Sequence, residues 1–130
     1  MTGFLDFSEP PFSSLNAGER HRIRQAVDVA RFETGGVLRV AGGQWERLHL
    51  ILRGRVEAKV PGEGAGSRLY GPDDLVGPRD FVSDDRSRVF LAMEETVCLT
   101  VDREALEGVL KGNRFFRLAL SGEAPASLDS

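Results

Sequence analysis

The sequence predicts a mainly β domain with helices at both ends. Six short runs rich in β-type residues lie between residues 37 and 101, and turn-forming residues, mostly glycines, separate them. Many short strands at near-regular spacing are typical of an all-β sandwich or barrel. Helix signals stand before and after this region. The 130 residues and 15 glycines fit one domain with many turns.

The first helix is predicted to begin after Asn16. Asparagine is a favourable N-cap, and Glu19 lies three positions later, where its side chain can complete a capping box. Four apolar residues then recur at helical spacing. We expect the helix to carry them as one narrow stripe: Ile23, Ala26, Val27 and Ala30.

The β region is defined by its runs and by the turns between them. At Gly54 a tight hairpin needs a positive φ, which glycine adopts without steric cost. Gly42 and Gly43 close the turn before a strongly aliphatic run. The predicted strands are VLRV (37–40), LHLIL (48–52), VEAKV (56–60), SRLY (67–70), VFLAM (89–93) and TVCLTV (96–101).

Two helices are predicted after the last strand. Asp102 is suited to cap the first of them, and Lys111 with Gly112 is suited to end it. The segment RFFRLAL (114–120) is expected to form another short helix. One short helix cannot bury all four of its large apolar side chains, so part of this set should face outward: Phe115, Phe116, Leu118 and Leu120. We assign residues 1–120 to the domain and 121–130 to a polar tail or linker.

Composition and charge argue against several classes of protein. A net charge of −3 disfavours a broad surface for DNA or RNA. No apolar run approaches the roughly 18 residues that a membrane span needs. The opening MTGFLDFSEPPF lacks the basic and apolar regions of a secretory signal, so a cytoplasmic location is expected. The single cysteine, Cys98, lies in an apolar run and is expected to be a small buried hydrophobic residue.

Catalytic and metal-binding patterns are not found. His21 falls on the first helix and His49 on a strand, and two distant histidines without a ligand motif make a poor metal site. No local spacing suggests a nucleophile with its base. The sequence therefore predicts no enzyme, no catalytic residues and no metal ligands.

The order of these motifs resembles the cyclic nucleotide-binding domain, the β-roll of catabolite activator protein and of kinase regulatory subunits. The most specific part is RFETGGVLRVAGGQWERLHLILRGRVEA (31–58), followed by YGPDDLVG (70–77) and VCLTVDREALEGVL (97–110). The resemblance covers roughly residues 10 to 120. It implies a double-stranded β-helix, or jelly roll, with flanking N- and C-terminal helices.

In that family a phosphate-binding cassette begins with Gly-Glu and ends with an arginine followed by small or hydroxyl residues. By this resemblance the cassette spans residues 74–90 here. Gly77 is in place, and Arg86 followed by Ser87 lies at about the right distance downstream when the cassette is shortened by one residue. Pro78 is suited to the first turn of its short helix. The ligand-binding residues that the resemblance implies are Gly77, Arg79, Arg86, Ser87 and Arg88.

The cassette also departs from the family pattern. Pro78 stands where the family has the glutamate that takes the ribose hydroxyl. Asp80 replaces a small apolar residue, and its carboxylate would repel a phosphate at the same place. Arg88 and Val89 replace the small and hydroxyl residues that line the pocket. The phosphate half of the site is partly present and the ribose half is not.

Two functions therefore remain open from the sequence. The first is a regulatory module that binds a nucleotide, such as cyclic AMP, or another phosphate ligand, and signals to a partner or a further domain. The second is a degenerate β-roll that binds no cyclic nucleotide and serves dimerisation or docking. We expect no cofactor, no DNA or membrane partner, and a homodimer. The resemblance implies a further signalling domain of the kind found in bacterial multidomain proteins.

Overall fold

The computed structural model describes Ser8 and residues 12–62, 67–83 and 86–121. A short 3₁₀ turn (Phe12–Ser14) precedes the regular elements. These are, in chain order, α1 (Ala17–Ala26), β1 (Val27–Phe32), β2 (Val37–Arg39), β3 (Arg47–Arg53), β4 (Val56–Lys59), β5 (Arg68–Tyr70), β6 (Leu75–Val76), α2 (Pro78–Ser83), β7 (Val89–Ala92), β8 (Thr96–Asp102), α3 (Arg103–Gly112) and α4 (Arg114–Ser121).

The strands form two antiparallel four-stranded sheets. One has the order β1-β8-β3-β6 and the other β2-β7-β4-β5. Because all neighbouring strands except β4 and β5 are non-consecutive in the chain, the chain winds between the two layers as a roll. All six predicted runs are strands, so the mainly β prediction with flanking helices is confirmed. The core includes Ile51, Val56 and Phe90 from both sheets, together with Ile23 and Leu106 from the helices.

The first helix is capped as predicted but ends earlier. The Asn16 side chain accepts from the Glu19 amide at 2.8 Å, and the Glu19 carboxylate accepts from the Asn16 amide at 2.9 Å. The helix stops at Ala26, so its predicted continuation through Ala30 is wrong. Residues 27–32 instead form β1, because all six of them pair with β8. This long-range pairing outweighs the local helical spacing of the apolar residues.

The short strand β6 positions the start of the cassette. Leu75 and Val76 pair with β3, which places Gly77 at the sheet edge. Gly77 has φ +57°, and α2 begins at the next residue, Pro78, as predicted. The two-residue strand itself was not predicted, because Leu75 and Val76 are too few to show a period.

The C-terminal helices close the domain. Asp102 precedes α3, but its carboxylate pairs with Arg47 at 3.3 Å and does not cap the helix, which corrects the predicted cap. In α4, Phe116 and Leu120 are buried while Phe115 is 71% exposed, so the apolar side chains are divided as expected. The proposed tail lies, apart from Ser121, outside the described residues.

Two expectations about single features can be compared with the structure. Cys98 is buried in β8, and burial raises the pKa of its thiol to about 12, so it behaves as the predicted small hydrophobic residue. Across the described ranges, no helix has the length and apolar character that crossing a membrane would require.

Gly54 supports a prediction about stability. Its φ is +107°, and a Cβ there would lie 2.6 Å from the Glu95 carbonyl oxygen and would also meet Thr96. Gly35 has a similar φ of +85° but open space around the Cβ position. Gly54→Ala should therefore lower the free energy of unfolding by about 1–3 kcal/mol more than Gly35→Ala. Urea unfolding of the two variants measures this difference, and equal losses would contradict the steric explanation.

Candidate anion-binding site

A cavity of about 820 Å³ lies between β5, α2 and α4. This volume is within the usual range for small-molecule sites. Arg68 and Tyr70 of β5 form one wall, Asp80 of α2 a second, and Arg117 of α4 a third, with Arg88 beside them. The cavity is thus bounded by the cassette helix and by the last helix of the domain.

Gly77 allows the chain to approach the aromatic core at the base of this cavity. A Cβ at Gly77 would lie 2.9 Å from the Phe90 ring and 3.3 Å from the Trp45 ring. Both rings are buried, and their centroids are 4.9 Å apart. The absence of a side chain, together with the positive φ, therefore lets α2 start directly against Phe90.

The most specific feature of the cavity is the ion pair between Asp80 and Arg88. Asp80 lies in the first turn of α2 and is 3% exposed. Arg88 donates to it through both Nη2, at 2.8 Å, and Nε, at 3.0 Å. These hydrogen bonds raise the pKa of Arg88 above its usual value, so the guanidinium stays charged. The geometry is the two-pronged one that arginine uses for carboxylates and phosphates.

A second arginine, Arg39 of β2, reaches the same carboxylate. It is buried, its Nη2 lies 3.5 Å from an Asp80 oxygen, and it donates to the Arg88 carbonyl at 3.1 Å. Its guanidinium lies 5.0 Å from the Trp45 ring centroid and 5.1 Å from that of Phe90, at distances that allow cation–π contact. Sequence reasoning missed Arg39. The available signal was a charged residue inside the apolar run VLRV.

The outer wall of the cavity is basic. Arg68, Arg79 and Arg117 are exposed at its rim. Within the described ranges, none of these three arginines forms an ion pair. Arg68 lies over the Tyr70 ring at 4.9 Å. Four arginines therefore face a cavity whose described lining contributes one carboxylate, that of Asp80.

Comparison with known proteins places the chain in a family. A cGMP-dependent protein kinase of Toxoplasma gondii is 30% identical over 100 residues, which are 76% of this chain and 10% of the kinase. The sensor domain of the transcriptional regulator DNR from Pseudomonas aeruginosa has a TM-score of 0.74 at 14% identity, covering 90% of this chain and 86% of that one. The catabolite activator protein of Thermus thermophilus has a TM-score of 0.60 at 25% identity, covering 92% and 56%. No protein-family model matches the sequence.

The chain belongs to the cyclic nucleotide-binding domain family. The β-roll, the Gly77 turn and the helix that follows it are therefore the family's roll and cassette. Since the chain spans only a tenth of the kinase, the kinase's own activity is not carried over to it.

The residues that the resemblance implies as ligand contacts lie in two groups. Gly77, Arg79 and Arg88 line the cavity. Arg86 and Ser87 are exposed and do not occur in the described lining, although the Arg86 carbonyl accepts from the Gly42 amide at 2.7 Å. Contact of these five residues with a ligand remains a prediction.

Arg103 joins the cassette helix α2 to α3. It opens α3, donates from Nη2 to the Phe81 carbonyl at 3.2 Å, and lies 4.1 Å above the Phe81 ring. Its Nε donates to the Trp45 carbonyl. Its Nη1 also pairs with Glu107 at 3.6 Å. Arg103 thus connects α2 with the start of α3, and sequence reasoning did not identify this link.

His49 lies in β3 behind the aromatic base of the cavity. It is 5% exposed, and its ring centroid is 5.3 Å from that of Trp45. Burial lowers the pKa of His49 from 6.5 to about 4. The folded state therefore holds this imidazole neutral at a pH where the unfolded chain would protonate it.

This shift predicts a loss of stability in acid. Between pH 6.5 and 4 the unfolded state binds the proton more tightly, so stability falls as the pH falls through this window, by roughly 3 kcal/mol from His49. His49→Phe, which keeps an aromatic ring, should remove that part of the pH dependence. Urea unfolding at a series of pH values measures it. His21→Gln, at the exposed second histidine, is the control, and an unchanged pH slope in His49→Phe would contradict the prediction.

Proposed function

We propose that this domain is a regulatory ligand-sensing module that binds a nucleotide or another phosphate-bearing anion between β5, α2 and α4. One observation carries the proposal. Four arginines line a cavity of about 820 Å³ whose described lining contains a single carboxylate. Such a surface favours an anion of nucleotide size, because guanidinium groups match phosphate oxygens in both charge and geometry.

The comparisons support the same class of ligand. The curated relative is named as a cGMP-dependent kinase, and one structural neighbour is named as the sensor domain of a transcriptional regulator. In this domain Pro78 stands in place of the family glutamate, so the contact that the glutamate would make with the ribose is missing. We therefore assign recognition chiefly to the phosphate, with Tyr70 and Leu75 as apolar lining for the rest of the ligand.

Signalling follows from the position of α4. Arg117 lies on this helix and Arg79 on the opposing α2, and the two helices pack together. An anion held by both arginines would stabilise the packed arrangement, and Arg103 would transmit the state of α2 to α3. Ligand binding would thus shift the conformational equilibrium of α3 and α4 toward the packed arrangement. A second copy, a partner or a further domain in the cytoplasm would detect this shift.

Arg117→Gln tests the proposal against a matched control. Melting midpoints of the wild-type domain are measured with cyclic AMP, cyclic GMP, cyclic dinucleotides, AMP and ATP at millimolar concentration. A ligand at about a hundred times its dissociation constant adds roughly 2.7 kcal/mol, which raises the midpoint by several degrees. Arg117→Gln should weaken binding about tenfold and so halve that rise. Arg114→Gln changes the same charge on the same helix outside the cavity lining and should leave it unchanged.

The outcomes separate the possible binding modes. A rise that Arg86→Ala removes and Arg117→Gln leaves intact would place the ligand against Arg86, the arginine that the family resemblance implies, and away from α4. A flat panel would contradict the proposed function altogether.

Dimerisation is the second candidate, because Phe115 is 71% exposed on α4. An aromatic side chain on the outer face of the terminal helix is suited to contact between two copies. If this face forms the dimer, Phe115→Ser should weaken self-association about tenfold or more in sedimentation velocity, with an unchanged melting midpoint. Val29→Ser, at another exposed apolar residue, is the control. A wild-type domain that is monomeric at high concentration would exclude this function.

A further inference from the structure

We propose that Asp80 is a tethered anion that occupies the cassette, and that a phosphate-bearing ligand binds by taking Arg88 away from it. The inference rests on the proposed function, since it concerns the same cavity. It assigns to Asp80 a role that opposes binding and to Arg88 a role that alternates between two partners.

Asp80 and Arg88 lie side by side in the lining of the cavity. Asp80 is 3% exposed, and a carboxylate so deeply buried would be unfavourable without a cationic partner. In the structure the two residues pair with each other through two hydrogen bonds of 2.8 and 3.0 Å. The paired side chains therefore occupy part of the cavity wall that an anionic ligand would contact.

The carboxylate of Asp80 makes the contacts that a phosphate would make. Its two oxygens accept hydrogen bonds from Nε and Nη2 of Arg88. A guanidinium binds two oxygens of a phosphate in the same way. A ligand phosphate cannot use the same two donors while Asp80 holds them. Asp80 would also repel a phosphate placed next to it, because like charges at this distance are unfavourable.

The burial of the three side chains indicates which one moves. The side chains of Asp80 and Arg39 are 4% and 3% exposed, and Arg39 is held between Trp45 and Phe90. The side chain of Arg88 is 22% exposed and lines the cavity. Arg88 can therefore turn toward the cavity while Arg39 keeps the Asp80 carboxylate in place. After the exchange every charge still has a partner, because Asp80 remains paired with Arg39 and Arg88 pairs with the ligand phosphate.

Asp80→Asn is the direct test, because asparagine keeps the shape and removes the charge. Binding of inorganic phosphate and of AMP is measured by isothermal titration for the wild type, Asp80→Asn and Glu104→Gln. Loss of the competing carboxylate should tighten phosphate binding about tenfold or more in Asp80→Asn. The variant should also melt at a lower temperature without phosphate and recover with it, because Arg88 then lacks its carboxylate partner. Glu104→Gln, an exposed carboxylate on α3, should match the wild type.

Nuclear magnetic resonance of the wild-type domain tests the exchange without any variant. The Arg88 Nε–H resonance and the Asp80 carboxyl ¹³C resonance should both move when inorganic phosphate is added to saturation. If Asp80→Asn does not fold even with phosphate, these two resonances decide the question. Unchanged resonances at saturation, or an Asp80→Asn domain that binds phosphate no better than the wild type, would overturn the inference.

The result is separable from that of the proposed function. If the wild type binds neither nucleotide nor phosphate but Asp80→Asn binds phosphate, the proposed function fails and the role of Asp80 as a tethered anion stands. If the wild type and Asp80→Asn bind AMP and phosphate equally well, the proposed function stands and the tethered anion fails.

Discussion

The ion pair between Asp80 and Arg88, with Arg39 as the second guanidinium, is the constraint on which the candidate site depends. It joins β2, the helix α2 and the residue preceding β7. Buried ion pairs add little net stability, because desolvation costs about as much as the attraction returns. Buried ion pairs instead determine the position of the elements that carry them. One arrangement of these elements pairs every charge, and any other arrangement leaves a buried charge without its partner. The orientation of α2 relative to the sheet is thus determined by charge as well as by packing.

The aromatic residues beneath this pair make the arrangement rigid. Phe90 contacts Trp45, Tyr70 and the guanidinium groups of Arg39 and Arg88. Gly77 lies so close to Phe90 that a larger residue would push α2 away from the sheet. The cavity therefore has a firm base, formed by the roll, and a wall provided by α4. Arg103, at the start of α3, links this base to α2 through its contacts with Trp45 and Phe81.

Local signals in the sequence predicted the parts of the fold that local chemistry determines. The Asn16–Glu19 capping box, the positive φ at Gly54 and the helix start at Pro78 each follow from residues a few positions apart. β1 could not be predicted in this way. Val27 and Ala30 fit both a helical stripe and a strand, and only pairing with β8, about 70 positions later, decides between them. The same holds for Asp102, whose carboxylate is drawn to Arg47 on a neighbouring strand.

In the site, too, single residues could be recognised from the sequence, but their contacts with residues distant in the chain could not. Asp80 could be recognised from the sequence as a charge in the wrong place for phosphate, but not as the partner of Arg88, eight residues later across the end of α2. Arg39, about 40 residues earlier, completes the cluster only because β2 and β7 are neighbours in one sheet. A single acidic residue in a phosphate cassette indicates lost function when considered alone. Paired with Arg88, it is the internal competitor proposed above, which weakens binding while keeping the cation in place. A cassette altered in this way differs physically from one that has lost its arginines, since removal of one negative charge would release a guanidinium that lines the cavity.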